Sequence, residues 1–212
     1  MARNNTVIVD YGLGNLRSVA AATAEIGGKP EVTADLDAIR RAERIILPGV
    51  GAFPLAAQYL ETSGIGSAIT TAAGRGVPIL GICLGMQLLF ERGNEFGWSN
   101  GLGLIRGDVL PVLRTDEGEG LRGTHIGWRS LGFPPSGRRA PLFTGLKAGD
   151  SYYFVHSFSA NPSDDRNVLA TVSYGTKDLV VSAGEANVMG VQFHPEKSGS
   201  AGLRLLRNFI DI

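Results

Sequence analysis

The chain has 212 residues, of which 43% are hydrophobic and 19% charged, and its formal net charge is zero. A chain of this length can bury a substantial core, and we expect residues 1–212 to form one domain. The neutral balance gives no electrostatic footprint for nucleic acid or for an anionic membrane surface. The longest apolar stretches are far shorter than the roughly 18 residues that a membrane helix needs.

Cysteine and histidine are both scarce, with one Cys and three His. A single cysteine excludes an internal disulfide framework and is typical of a reducing compartment, so we expect a cytoplasmic protein. No basic-then-apolar leader opens the sequence. Three histidines without paired cysteines or a His-Glu-x-x-His pattern predict no metal site, and we expect no cofactor.

The first half of the chain alternates short apolar strands with helices. Strands are predicted at 6–9, 31–33, 44–47 and 77–82, and helices at 16–26, 36–42, 53–61, 65–73 and 84 to about 91. Asn15 is predicted to cap the first helix. This alternation predicts a parallel sheet with helices on both faces and right-handed crossovers.

The second half has strand patterns without clear helices between them. Strands are predicted at 108–113, 151–158, 168–174 and 179–183, with exposed loops at 115–120 and 134–139. A last strand at 188–193 precedes a helix at about 202–210. We therefore expect a three-layer, open α/β fold of flavodoxin-like type, whose mostly parallel sheet carries an antiparallel extension.

The single cysteine lies in Gly81-Ile82-Cys83-Leu84-Gly85, at the end of an apolar run. A lone cysteine is often only a small buried hydrophobe. However, G-x-C-x-G is the thiol counterpart of the G-x-S-x-G turn that presents a nucleophilic serine. At a helix N-terminus the dipole would favour the thiolate. The N–H of Leu84 could then stabilise an oxyanion.

The last predicted strand leads into His194-Pro195-Glu196. Residues i and i+2 of an extended segment point the same way, so Glu196 can reach the imidazole of His194 and hold its tautomer. His156 is the rival base, but it has no carboxylate nearby in sequence. His125 is interpreted as structural.

A third motif, Pro48-Gly49-Val50-Gly51, also follows a predicted strand. It is either a simple turn or a place where backbone N–H groups approach a substrate, and we favour an oxyanion donor at Val50 or Gly51. In Gly12-Leu13-Gly14-Asn15-Leu16-Arg17 the third glycine of a dinucleotide-binding loop is replaced, so no nucleotide site is expected. Ligands of open α/β sheets bind at the carboxyl ends of the strands, where all three motifs fall.

With these residues identified, the chain resembles the class I (triad) glutamine amidotransferases. The two defining motifs of that family are similar to residues 81–87 and 193–196, and further similarity lies at 9–16, 48–53, 153–158 and 194–198. The resemblance implies hydrolysis of L-glutamine to L-glutamate and ammonia. The form of these segments further implies a heterodimer with a (β/α)8-barrel cyclase subunit, to which the ammonia is channelled in histidine biosynthesis.

The resemblance also implies a role for individual residues. The nucleophile would be Cys83, the base and acid His194, and the orienting carboxylate Glu196. The oxyanion hole would be formed by Val50, Gly51 and Leu84; glutamine would contact Gly51, Gln87, Glu95, Ser157 and Phe158; and the partner would contact Asn15, Arg17, Trp128 and Lys197.

Three alternatives remain open from the sequence. The chain could be the glutaminase subunit of another amidotransferase, serving aminodeoxychorismate, anthranilate or pyridoxal phosphate synthesis. It could be a cysteine hydrolase or peptidase of similar fold, active without a partner. It could also be a non-catalytic regulatory subunit that has kept the fold.

Overall fold

The computed structural model describes residues 5–112, 123–134, 140–147 and 149–212. The strands are β1 Asn5–Val9, β2 Lys29–Thr33, β3 Arg44–Gly49, β4 Ile79–Cys83, β5 Phe90–Asn94, β6 Trp98–Asn100, β7 Ile105–Pro111, β8 His125–Ser130, β9 Ser151–His156, β10 Phe158–Pro162, β11 Val168–Tyr174, β12 Lys177–Glu185 and β13 Val188–Val191. The α-helices are α1 Leu16–Glu25, α2 Leu36–Arg41, α3 Phe53–Thr62, α4 Ile65–Gly74, α5 Leu84–Leu88 and α6 Gly199–Ile210. Three short 3-10 turns lie at Pro141–Phe143, Asp165–Asn167 and Pro195–Lys197.

The main sheet has the strand order β2-β1-β3-β4-β13-β12-β10-β7-β5-β6, with β11 paired to β12. The first five strands are all parallel to their neighbours. Beyond β13 the pairs become antiparallel, except for β5 with β7. The predicted α/β class, with a mostly parallel sheet and an antiparallel extension, is therefore confirmed.

Alternate residues of the central strands supply two separate cores. Val7, Val9, Ile45 and Leu47 pack with α2, α3 and α4 on one face of the sheet. Ile8, Ile46, Leu80 and Ile82 pack with α1 and α6 on the other. Since each fully buried aliphatic side chain contributes roughly 1.5–3 kcal/mol, this two-sided burial holds the parallel strands rigidly in place. The helices do lie on both faces, as the sequence predicts.

The prediction is wrong for the helix that follows Cys83. Helix α5 ends at Leu88 rather than near residue 91, and the chain turns directly into β5. The carbonyl of Leu88 accepts from the N–H of Leu102, and that of Phe90 from the N–H of Gly103. Pairing with residues distant in sequence thus overrides the local helical pattern, and it also creates the unpredicted strand β6.

The predicted strand at 151–158 is in fact two strands. Strand β9 pairs with the unpredicted β8 in a separate two-stranded sheet, whereas β10 pairs with β7 and β12 in the main sheet. The chain changes sheets at Ser157, which belongs to neither strand. Most of the predicted loops at 115–120 and 134–139, and the predicted end of a strand at Leu113, lie outside the described residues. In the described part of the chain, no helix is both long and apolar enough to cross a membrane.

Candidate active site

Cys83 lies at the junction of β4 and α5, in a backbone conformation that non-glycine residues rarely adopt, with φ 56° and ψ −114°. The segment Gly81–Gly85, called the elbow segment below, forms this turn. A Cβ on Gly85 would overlap the carbonyl oxygen of Leu47 in the adjacent strand, and one on Gly81 would lie 2.7 Å from the carbonyl oxygen of Gly85. The flanking glycines are therefore required by close backbone packing, and this packing holds the strained cysteine in place.

His194 follows β13, the strand paired beside β4, so the two motifs meet at the same edge of the sheet. The ring of His194 interacts with Cys83, and its Nδ1 lies 2.9 Å from Oε1 of Glu196. The side chains of His194 and Glu196 are 4% and 0% exposed. Thiol, imidazole and carboxylate are thus brought together at one edge of the sheet, as the sequence predicts.

Electrostatics favour a charged imidazole in this arrangement. Burial alone would lower the pKa of His194, but the hydrogen bonds and negative charges of Cys83 and Glu196 outweigh burial and raise this pKa to about 9. Because Nδ1 is bound by a carboxylate, the nitrogen that faces the sulfur is Nε2. The histidine is therefore equipped to exchange a proton with the thiol.

Two further side chains, those of Asn15 and Ser198, hold Glu196 and His194 in position. The Nδ2 of Asn15 donates to the same Oε1 of Glu196 at 3.2 Å. The expected N-cap hydrogen bond of Asn15 is absent, since its side chain is turned to the carboxylate instead. Ser198 Oγ donates to the carbonyl of His194 at 2.6 Å and accepts from the N–H of Tyr153 at 3.1 Å. Ser198 thus ties the backbone of His194 to strand β9.

A cavity of about 340 Å³ opens beside the sulfur. Nearly all of the predicted catalytic, oxyanion and substrate residues line it: Val50, Gly51, Cys83, Leu84, Gln87, Glu95, Ser157, Phe158 and His194. Glu196 lies behind His194, outside the lining. The cavity is of a size that can enclose an amino acid and little more, which suits a small amide substrate.

The segment Pro48–Gly51, called the oxyanion segment below, forms one wall of this cavity. Pro48 and Gly49 are buried in β3, whereas Val50 is 42% exposed and Gly51 has a φ of 104°. Gly49 packs against Leu84 and the hydroxyl of Tyr11, where a Cβ would not fit. The segment therefore runs from a tightly packed start to an open end at the mouth of the cavity.

Gln87 and Gln192 form a buried amide chain that leads to the nucleophile. Gln87 Nε2 donates to the carbonyl of Phe158 at 3.3 Å and to Oε1 of Gln192 at 3.0 Å. Gln192 Nε2 in turn lies 3.7 Å from the sulfur of Cys83. Gln192 was not singled out from the sequence, although a glutamine inside an apolar strand is a signal, because buried amides require partners.

Glu95 lines the cavity from the turn between β5 and β6, and its Oε2 accepts from the N–H of Phe53 at 2.6 Å. This bond places a carboxylate at the N-terminus of α3, where the helix dipole stabilises negative charge. The residue is thus held at the cavity wall by an element far from it in sequence.

The four residues expected to face a partner divide into two groups. Asn15 is half-buried and bound to Glu196, so it is part of the site itself. Arg17, Trp128 and Lys197 are exposed. Trp128 and Lys197 both lie against the ring of Tyr153, at 5.8 and 6.0 Å from its centroid, and Tyr153 approaches the ring of His194. An exposed aromatic and cationic surface therefore adjoins the base.

Three buried polar groups lie nearby: His156, the rival base of the sequence analysis; His125, interpreted there as structural; and Tyr11, which was given no role from the sequence. His125 and His156 contact each other through their ring nitrogens. The hydroxyl of Tyr11 is buried without a hydrogen-bond partner among the described residues, and burial, followed by the charge of Cys83, raises its pKa. No group of three or more His, Cys, Asp or Glu in the described ranges is arranged to hold a metal ion.

Comparison with known proteins agrees with this architecture. The family model "Glutamine amidotransferase class-I" matches residues 7–212. A solved structure of a glutamine amidotransferase superposes with a TM-score of 0.69 at 20% identity, covering 97% of each chain. The PurLQS structure from Thermotoga maritima gives 0.69 at 24% identity, covering 98% of this chain and 97% of that one. The chain belongs to the class-I glutamine amidotransferase family.

Curated relatives place the chain more narrowly. The imidazole glycerol phosphate synthase subunit HisH of Lactococcus lactis is 43% identical over 205 residues, which is 97% of each chain. The subunit of the same name from Salinibacter ruber is 47% identical over 207 residues, covering 96% of this chain and 93% of the relative. At this identity over nearly its whole length, the chain groups with the HisH subunits.

Proposed function

We propose that this protein is the glutaminase subunit of imidazole glycerol phosphate synthase, which hydrolyses L-glutamine to L-glutamate and ammonia. The observation that carries the proposal is the grouping of three side chains beside a cavity sized for an amino acid. Cys83 and His194 line the cavity, and Glu196 binds His194 from behind. The full-length similarity to HisH subunits supports the same conclusion.

The chemistry follows from the positions of these groups. The sulfur of Cys83, having passed its proton to His194, attacks the side-chain amide carbon of glutamine. The N–H groups of Leu84 and of the oxyanion segment stabilise the resulting oxyanion. His194 then protonates the departing amine, which leaves as ammonia, and a glutamyl thioester remains on the sulfur. His194 next takes a proton from water, which attacks the thioester and releases glutamate.

The product explains why a partner is needed. Ammonia is largely protonated in neutral water, and the ammonium ion is not a nucleophile. A second protein that covers the cavity mouth keeps the product dry and delivers it directly. We propose that this partner is a (β/α)8-barrel cyclase subunit that docks over the exposed surface of Arg17, Trp128 and Lys197, in the cytoplasm.

The test is glutamate release by the wild-type complex and by the Cys83→Ala variant. We expect the variant to lose at least about 10⁴-fold in glutamine hydrolysis, because no other group on the chain forms the thioester. The control is synthesis by the same variant complex supplied with ammonium salts, which should persist. Glutaminase activity that survives in Cys83→Ala would contradict the assignment of the nucleophile.

A further inference from the structure

Two buried histidines face each other next to the active site. His125 of β8 and His156 of β9 are paired directly across the two-stranded sheet, and their side chains are 0% and 5% exposed. The Nδ1 of His125 lies 2.9 Å from the Nε2 of His156, and the rings meet edge to face. The site chemistry derived above makes no use of either ring.

The positions of the protons on both rings follow from a single carbonyl. Nδ1 of His156 lies 2.9 Å from the carbonyl oxygen of Phe158, which can only accept, so this nitrogen carries a proton. The Nε2 of a neutral His156 is then an acceptor, and Nδ1 of His125 must donate to it. With both rings neutral, as their burial favours, both carry the proton on Nδ1.

Burial keeps the two rings uncharged. The pKa of His156 is lowered to about 4, chiefly by burial and to a smaller extent by electrostatic interaction with His125 and His194, against the raising effect of its bond to Phe158. Burial, followed by the charge of Arg129, lowers the pKa of His125 as well. The His125–His156 pair therefore adds no second imidazolium charge beside that of His194.

The carbonyl held by His156 belongs to the wall of the cavity and to the amide chain. The oxygen of Phe158 also accepts from Gln87, whose amide continues through Gln192 to the sulfur of Cys83. His156 itself lines the cavity together with Ser157 and Phe158. A continuous series of hydrogen bonds thus runs from His125 to the nucleophile.

We propose that His125 and His156 are positioning residues for glutamine binding: they fix the carbonyl of Phe158 and, through it, the amide of Gln87, which lines the cavity. The inference rests on the proposed glutaminase function and adds to it a second, non-catalytic histidine pair. Because the pair acts on the cavity wall rather than on the reacting atoms, its loss should weaken substrate binding more than turnover.

Two matched substitutions separate this role from simple packing. In His156→Asn the side-chain Nδ2 occupies the position of the ring Nδ1 and can still donate to Phe158. In His156→Gln the amide occupies the position of Nε2, so it can still bind His125 but no longer reaches the Phe158 carbonyl, which keeps only the donor from Gln87. Both variants lose the same ring, so a purely structural role would affect them equally.

Steady-state glutamate release by the partner complex is the main measurement. We expect His156→Gln to raise the KM for glutamine about tenfold or more, with a smaller change in kcat, and His156→Asn to raise KM only about threefold. Equal KM values for the two variants and the wild type, with only thermal stability lowered, would overturn the inference. A wild-type complex that released no glutamate would instead refute the proposed function.

Nitrogen-15 NMR of the wild-type chain gives an independent readout. Both buried rings should show a protonated Nδ1 and an unprotonated Nε2, the minor tautomer of free histidine in water. A protonated Nε2 on His156 at neutral pH would break the chain of donors described above and overturn the inference.

Discussion

The elbow segment and the oxyanion segment lie side by side at the same cavity but are held very differently. All five residues of the elbow segment are buried, and two of its glycines touch backbone so closely that a Cβ would not fit. The oxyanion segment ends in two loosely packed residues: Val50 is 42% exposed, and a Cβ on Gly51 would meet nothing within 4 Å. The nucleophile is therefore fixed by packing, whereas the end of the oxyanion segment has room to move.

The largest effect is expected behind the fixed nucleophile, in Glu196→Gln. Loss of the carboxylate removes the charge that stabilises the imidazolium, so hydrolysis should fall about 10²- to 10³-fold, less than in Cys83→Ala. The pKa of His194 should drop from about 9 towards its ordinary value in an NMR titration. The exposed Glu31→Gln is the matched control, and a similar loss there would show that the effect is not local.

A pair of glycine variants compares the two walls directly. Gly85→Ala should lower the free energy of unfolding by about 3 kcal/mol, because its Cβ overlaps the Leu47 carbonyl. Gly51→Ala should cost only about 1–2 kcal/mol, the strain of a positive φ. Denaturant unfolding of both variants measures the difference. Equal losses would mean that the two walls are equally constrained.

Asn15 and Arg17 separate the group that binds Glu196 from the surface proposed to face the partner. Asn15→Ala removes one of the two donors to Oε1 of Glu196, so kcat of the partner-saturated complex should fall roughly fivefold. Arg17→Ala should leave that kcat unchanged and weaken only the affinity for the partner. Titration of glutaminase activity with partner separates the two effects. An Asn15→Ala variant with normal kcat at saturation would assign Asn15 to the interface alone.

The last prediction concerns the pH dependence of stability, to which His194 and His156 contribute with opposite signs. The folded pKa of His194 lies above the ordinary 6.5, so its contribution is complete below pH 6.5 and is lost as the pH rises through about 9. The folded pKa of His156 lies below 6.5, so stability falls as the pH drops from 6.5 towards 4. Unfolding free energy should thus peak near pH 6.5, and Glu196→Gln should flatten only the alkaline side.

Sequence patterns predicted those parts of the fold that depend on local periodicity. The parallel strands and their helices were predicted because each apolar run is bounded by glycine, proline or a helix cap. The end of α5 was misplaced because Leu88, Leu89 and Phe90 suit a helix or a strand equally well. Only their pairing with residues 102–104 decides between the two.

The candidate site was predictable to a similar extent. The meeting of Cys83 with His194 follows from the rule that strand ends share one edge of the sheet. The bond between His194 and Glu196 follows from their spacing of two residues. The bond from Asn15 to Glu196 and the pairing of His125 with His156 join residues 181 and 31 positions apart, and no local pattern signals either contact.

Strand β13 follows β4 and β12 in the sequence and leaves the ribosome after both, yet it inserts between them in the interior of the sheet. Until it emerges, the nascent chain exposes the unpaired edge of β4, which is a hazard for association with other chains. The same delay means that the thiol has no base during most of synthesis. A nascent chain therefore cannot consume glutamine until the ribosome has passed residue 196.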